Sequence, residues 1–262
     1  MDYGIAGKVA LVCGASRGIG EACARGLAEE GARTILLARS RERLEALGRE
    51  INGAGGTARH LVADLSETEF LDQVAQEALS AYGRIDILIN NTGGPPTGEN
   101  FEFDRAVWEK SFRGTFLSAS ELTRHLIPRM AERDWGRVIN LTSISVKQPL
   151  EGLILSNSIR MAVIGWAKTL SRQFASRGVT INNIATGYTL TERILNVARR
   201  LAAQESRKVD DVIAGMVEVI PMKRMARPEE VAQLALFLAS ENASYITGTT
   251  IPIDGGFHAS TL

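Results

Sequence analysis

The sequence predicts an α/β fold, a doubly wound parallel sheet with helices on both faces, and three observations carry that prediction. Short apolar runs of strand length alternate with longer stretches of helical period; a glycine-rich turn separates the first apolar run from the first helix; and no linker, low-complexity tract or internal repeat breaks the alternation over 262 residues. Such alternation builds parallel strands, because each return to the sheet in the same direction needs a crossover. One domain spanning residues 1–262 is expected, with ligands bound outside the carboxyl ends of the strands.

The elements follow in order. Residues 8–13 read as a strand, 21–30 as a helix, 33–38 as a strand, 42–54 as a helix and 58–63 as a strand, a βαβαβ start. Further strands are expected at 85–90, 137–141 and 180–184, each beside a helix-length segment. Residues 155–177 form a helix with apolar side chains on more than one face, including Ile159, Val163, Ile164, Trp166 and Leu170. Packing against both its own sheet and a neighbouring subunit accounts for that pattern, as does burial within a single chain. Residues 189–227 differ in kind: helical and strongly charged, with apolar positions at Ile194, Leu195, Val197 and Leu201 and again at Val212, Ile213, Met216, Val217 and Val219. They read either as a surface helix pair or as a helical lid over a substrate pocket.

Composition narrows the ligands. A chain with 45% hydrophobic and 23% charged residues buries a core without staples. Thirty basic and 30 acidic residues cancel, which removes the electrostatic case for nucleic acid or an anionic membrane and leaves small molecules. The two cysteines, Cys13 and Cys23, indicate neither a disulfide framework nor a zinc site. Met1 to Lys8 carries no signal-like pattern and no segment is apolar enough to span a membrane, so a cytoplasmic location is expected.

Directly after the first strand stands Gly14-Ala15-Ser16-Arg17-Gly18-Ile19-Gly20, followed at once by a helix-forming run. Glycines permit positive φ and a close backbone approach to a pyrophosphate, whose charge then meets the free N–H groups and positive pole of the helix. This marks a Rossmann-like dinucleotide site. Asn90-Asn91-Thr92-Gly93 follows the fourth strand, and Ser244-Tyr245-Ile246-Thr247-Gly248 and Ile253-Asp254-Gly255-Gly256 stand near the C-terminus. With these motifs in this order the chain resembles the short-chain dehydrogenase/reductase family over essentially its whole length, and within it the β-ketoacyl-carrier-protein reductase-like group.

A site selective for NAD places a carboxylate at the end of the second strand, where this chain reads Leu37-Ala38-Arg39-Ser40. Arg39, with Arg17 inside the glycine turn, suits a 2′-phosphate instead, and favours NADP(H) over NAD(H). The resemblance implies cofactor contacts at Gly14, Ser16, Arg17, Gly18, Ile19 and Gly20, at Asp64 and Leu65 beside the adenine, at Asn91 and Gly93 on the adenosine side, and at Gly187, Thr189 and Thr191 beside the nicotinamide carboxamide.

The family's catalytic pattern departs here. Its serine is present as Ser143, but the position of its tyrosine, 13 residues on, is Ser156, and that of its lysine is Arg160. Thr115 stands where its asparagine belongs, and Thr186 replaces the proline before Gly187. Ser156 and Arg160, four apart on a helix, share a face. A serine hydroxyl is far too weak an acid to stand in for a phenol, and an arginine keeps its proton, so Arg160 is expected to bind cofactor. Losing general acid catalysis costs about 10²- to 10⁴-fold, or about 3–5 kcal/mol. Ser143 with Arg160 is left to steady a developing oxyanion, and Lys147 and Tyr188 are candidate substitute acids; His125 reads as a packing or surface residue. Two functions follow: an oxidoreductase on a carbonyl or hydroxyl group with altered proton chemistry, or a cofactor-binding protein without turnover, a sensor or the non-catalytic subunit of an oligomer. The resemblance also implies a homodimer or homotetramer. Leu150, Leu153, Ile154, Leu190 and Ile194 at the expected pocket edges suggest a small hydrophobic carbonyl or alcohol substrate.

Overall fold

The computed structural model describes residues 2–261; Met1 and Leu262, the two ends of the expected domain, lie outside the described residues. Seven strands, β1 (Val9–Cys13), β2 (Arg33–Ala38), β3 (Thr57–Val62), β4 (Ile87–Asn90), β5 (Gly136–Leu141), β6 (Val179–Thr186) and β7 (Thr250–Ile253), form one sheet in the order β3-β2-β1-β4-β5-β6-β7, every neighbour pair parallel. The chain reverses its direction of growth between β1 and β4, which opens a crevice above their carboxyl ends.

Both faces of the sheet are covered, as central parallel strands require. Helices α1 (Gly18–Glu29) and α2 (Arg41–Gly53) close one core, where Leu27, Leu36, Leu44 and Ile87 are buried. The other face holds α3 (Leu71–Tyr82), α4 (Arg105–Phe112), α5 (Ser118–Ala131) and α6 (Ile154–Phe174), with Leu71, Leu122, Met130 and Ala167 buried against the strands. Local chemistry sets the ends of these helices. Gly83 closes α3 at φ +76°, a left-handed conformation with little cost for glycine, and the Asp104 carboxylate caps α4 by accepting from the Val107 N–H at 2.9 Å.

After β6 the chain forms α7 (Glu192–Glu205) and α8 (Val209–Glu218), which share a small core of Ala198, Ala202, Val212, Met216 and Ile220. A bridge between Thr189 and Ala226 fastens the two ends of this excursion together. The chain then returns as α9 (Pro228–Ala239), which starts on a proline and packs on the α1 side.

Several boundaries differ from expectation; the fourth strand, expected at 85–90, spans Ile87–Asn90. The first helix starts at Gly18, three residues early, so two glycines of the turn lie inside its first turn. β6 runs beyond both ends of the expected 180–184, because its polar residues are satisfied internally: Asn90 donates to Asn140 and Asn140 to Asn183, each at 2.9 Å, and Asn183 donates to Thr250. Between α4 and α5 the helix widens into a π turn over Arg113–Leu117, an irregularity no periodicity announces. Among the described residues no helix is long and apolar enough to cross a membrane.

Candidate dinucleotide and substrate site

A groove of about 1100 Å³ lies over the carboxyl ends of the strands, and Gly14, Ser16, Arg17, Gly18, Ile19, Arg39, Asp64, Leu65, Asn91, Gly93 and Thr191 all line it. The glycine turn is built for close approach. Gly14 and Gly18 have φ of +61° and +60°, and a Cβ on Gly20 would fall 2.2 Å from the Gly14 carbonyl oxygen. Gly20 therefore serves packing, and does not itself line the groove. Asn91 holds the turn from the β4 side, its amide donating to the Gly14 carbonyl at 3.5 Å. The first turn of α1 is thus open toward the groove with its N–H groups free for an anion.

Arg39 extends into solvent at 74% exposure, 3.5 Å from Asp64. Burial pushes the Asp64 carboxyl upward, but hydrogen bonds from the Ser66 N–H and hydroxyl and the Arg39 charge outweigh it and hold the group below its ordinary value. Arg17 reaches across the groove to Glu192 on α7 at 2.5 Å, and Arg43 joins the same carboxylate at 3.3 Å. Glu192 and Arg43 escaped the sequence reading; a third arginine four residues past Arg39 was the available signal for one of them. A glycine cradle, an open helix pole and three arginines at one end fit a dinucleotide that carries an extra phosphate.

The other expected residues stand apart from the groove. Gly187 packs against Asp254, where a Cβ would lie 2.7 Å from the Asp254 Cα, and Thr189 is buried with its hydroxyl donating to the Gly187 carbonyl at 3.3 Å. These two shape the turn under the groove and do not line it. Ser143 caps a short turn, its hydroxyl accepting from the Ser145 N–H at 3.1 Å, while the hydroxyl facing Ser156, at 3.5 Å, belongs to Ser145. Ser143 and Ser156 share no hydrogen bond. Arg160 is 9% exposed and donates to the Leu141 carbonyl at 2.8 Å, leaving Nε without a partner. Burial, then the positive charge of Arg193, lowers its pKa to about 10, so it stays cationic at neutral pH. It lines a second, one-water-sized cavity of about 10 Å³ behind the groove, shared with Asn90, Asn140 and Thr142; Thr92 and Thr115 border both spaces. Thr115 owes that position to the π turn, which offsets its side chain from the helical register.

The candidate substitute acids fare differently. Tyr188 packs edge-on against Phe257 at 5.5 Å beside the α7–α8 core, where burial raises its pKa, and it does not line the groove. Lys147 sits outside the groove lining, and His125 lies on α5 beside Asp72, 3.2 Å away. Leu150, Leu153, Ile154, Leu190 and Ile194 likewise line no part of the groove. One side of the groove is formed instead by the loop after β4 and by α7, whose Arg193, Asn196, Val197 and Arg200 share one face. The five apolar residues expected at the pocket edge thus stand outside it: α7 and α8 turn apolar side chains to their own core, while Pro95, Pro96, Val107 and Val197 keep apolar surface in the groove.

A family model described as Enoyl-(Acyl carrier protein) reductase matches residues 14–258. Oxidoreductase UcpA of Salmonella typhimurium is 34% identical over 255 residues, 96% of this chain and 95% of that protein. The 3-oxoacyl-(acyl-carrier-protein) reductase FabG of Thermotoga maritima is 31% identical over 253 residues, 95% of this chain and 97% of that protein. The crystal structure of L-sorbose reductase from Gluconobacter frateurii complexed with NADPH and L-sorbose has a TM-score of 0.94 at 32% identity, covering 99% of this chain and 100% of that one. The parallel sheet, the glycine turn at its switch point and these matches across nearly the whole length agree, and the chain belongs to the short-chain dehydrogenase/reductase family.

Proposed function

We propose that the chain is an NADP(H)-dependent oxidoreductase acting on a small carbonyl or alcohol substrate, with Ser156 and Arg160 in place of the family's tyrosine and lysine. The carrying observation is the cluster of Arg17, Arg39 and Arg43 at one end of a groove that begins on an open helix pole. When bound, the reduced nicotinamide supplies a hydride to a carbonyl carbon. Gly14, Ser16, Gly18 and Ile19 hold the pyrophosphate, Arg39 and Arg43 the 2′-phosphate, and Asp64, Leu65, Asn91 and Gly93 the adenosine. Thr191 fixes the start of α7 by accepting from the Ile194 N–H, and α7 with α8 covers the substrate as a lid. Arg160 steadies the developing charge on the substrate oxygen through the wall of the small cavity behind the groove, and water supplies the proton that completes the hydroxyl. Turnover without a phenol is slower by about 10²- to 10⁴-fold.

A second reading is favoured by one specific observation. Arg160 is turned to the Leu141 carbonyl and neither it nor Ser143 nor Ser156 lines the groove, as in a protein that binds NADP(H) without turnover. NADPH consumption across ketones, quinones and β-ketoacyl thioesters separates the two. Turnover above the buffer rate is expected; binding without any consumption would leave the sensor or non-catalytic subunit. Self-association into a homodimer or homotetramer belongs to the same proposal, with exposed Phe112 and Met161 on α4 and α6 at the joining face. A monomer by light scattering at micromolar concentration would oppose it.

A further inference from the structure

The positive charges along the groove are only partly neutralised. Its lining contains two carboxylates, Asp64 and Glu192, and both are engaged: Asp64 lies beside Arg39, and Glu192 joins Arg17 and Arg43. Along α7 from Glu192 stand Arg193, close enough to Arg17 to feel its charge, and Arg200, neither within ion-pair distance of a carboxylate among the described residues. Arg193 donates to the Gly94 and Pro95 carbonyls, each at 3.0 Å, and Arg200 to the Thr97 carbonyl. Neutral carbonyl oxygens fix where a guanidinium sits without cancelling its charge. Behind them Arg160, nine-tenths buried, has an unpartnered Nε and one carbonyl acceptor.

The Arg193 and Arg200 guanidinium groups on the groove wall, with that of Arg160 behind it, repel one another unless an anion joins them, and the chain has no net positive charge of which this could be a local share. The cofactor's phosphates already have partners at the glycine turn, Arg17, Arg39 and Arg43. Arg193 is pinned by the loop after β4 with further N–H groups unused, and a guanidinium matches a carboxylate through two parallel hydrogen bonds.

We infer that the substrate is an oxo acid, or the corresponding hydroxy acid, whose carboxylate is held by Arg193 at the α7 face, with Arg200 adding attraction from the same face. This rests on the oxidoreductase reading and names its substrate class. Asn196 and Val197, between the two arginines on that face, bound the space left for the rest of a short molecule.

Paired probes test it. Acetoacetate, levulinate and 2-oxobutyrate are titrated against their methyl esters into NADPH-loaded protein by calorimetry, so that the readout is binding and needs no turnover. At least one acid is expected to bind about tenfold more tightly than its ester, with an advantage that shrinks as salt rises. Arg193→Gln is expected to reduce that advantage to about twofold while NADPH affinity stays within about threefold. Equal binding of acids and esters, or no binding of any, overturns the inference. So does an acid preference that survives Arg193→Gln, or a large loss of NADPH affinity in that variant, which would assign Arg193 to the cofactor's phosphates. Failure of the wild-type protein to bind NADPH is seen in the first titration and strikes the cofactor reading alone; the same acids and esters on cofactor-free protein then decide the inference.

Discussion

On the proposed reading Arg39 carries the choice of cofactor with little help from burial, because it stands in solvent and leans only loosely on Asp64. Arg39→Ala is expected to weaken NADPH binding by about tenfold and to leave NADH nearly unchanged, since charge-assisted bonds to a phosphate are worth about 1.5–3 kcal/mol and exposure keeps this one near the lower end. Titration of both dinucleotides into the two proteins checks it. The missing phenol is the other question at this scale. Ser156→Tyr/Arg160→Lys restores an acid and a cation able to tune it, and is expected to raise NADPH-linked carbonyl reduction by up to about 10²-fold. A flat result, in a variant that folds and binds NADPH, would mean that the substrate meets other groups altogether. Ser145, the hydroxyl facing Ser156, becomes the first of these to examine. The identities at 143, 156 and 160 were legible in the chain as departures from a pattern. Which hydroxyls meet was not, because the turn after β5 sets that geometry.

Two elements meet across the groove, the glycine turn and α7. Gly20 lets α1 rest on the turn, and Gly20→Ala drives a Cβ into the Gly14 carbonyl oxygen and the Asn91 amide. Urea unfolding is expected to show a loss of about 1–3 kcal/mol, since backbone on one side cannot give way. Glu192 joins α7 to the turn. Its carboxyl is held below the ordinary range, first by the hydrogen bond from Arg17, then by that charge, and then by Arg43. A lowered carboxylate pKa means the contact is present above the ordinary glutamate value and is lost as pH falls through the lowered one. Glu192→Gln frees Arg17 and is expected to tighten NADPH binding by about two- to fivefold above pH 5, with wild type and variant converging in acid. An equal affinity for both at neutral pH would show that Glu192 does not compete for Arg17. Strands were read well from their apolar runs. The π turn at Arg113–Leu117 and the polar stretch of β6 were not, since neither leaves a hydrophobic period.

Over the whole molecule, a parallel sheet with two covered faces was legible because alternating segments admit few other arrangements. Long-range placement was harder to read. Arg193 meets Gly94 across 99 residues of chain, and nothing local to either position announces the contact. The groove that results is shared by the turn after the first strand, the loop after the fourth and α7, with Arg17, Arg43, Arg193 and Arg200 along it. The central claim remains that the helix pole after Gly14 exists to grip the paired phosphates of a nicotinamide dinucleotide. Calorimetric titration of the folded protein with NADPH and NADH tests it most directly: NADPH is expected to bind in the micromolar range and NADH about tenfold or more weakly. Absence of heat from both at millimolar concentration, in protein that unfolds cooperatively, would contradict it.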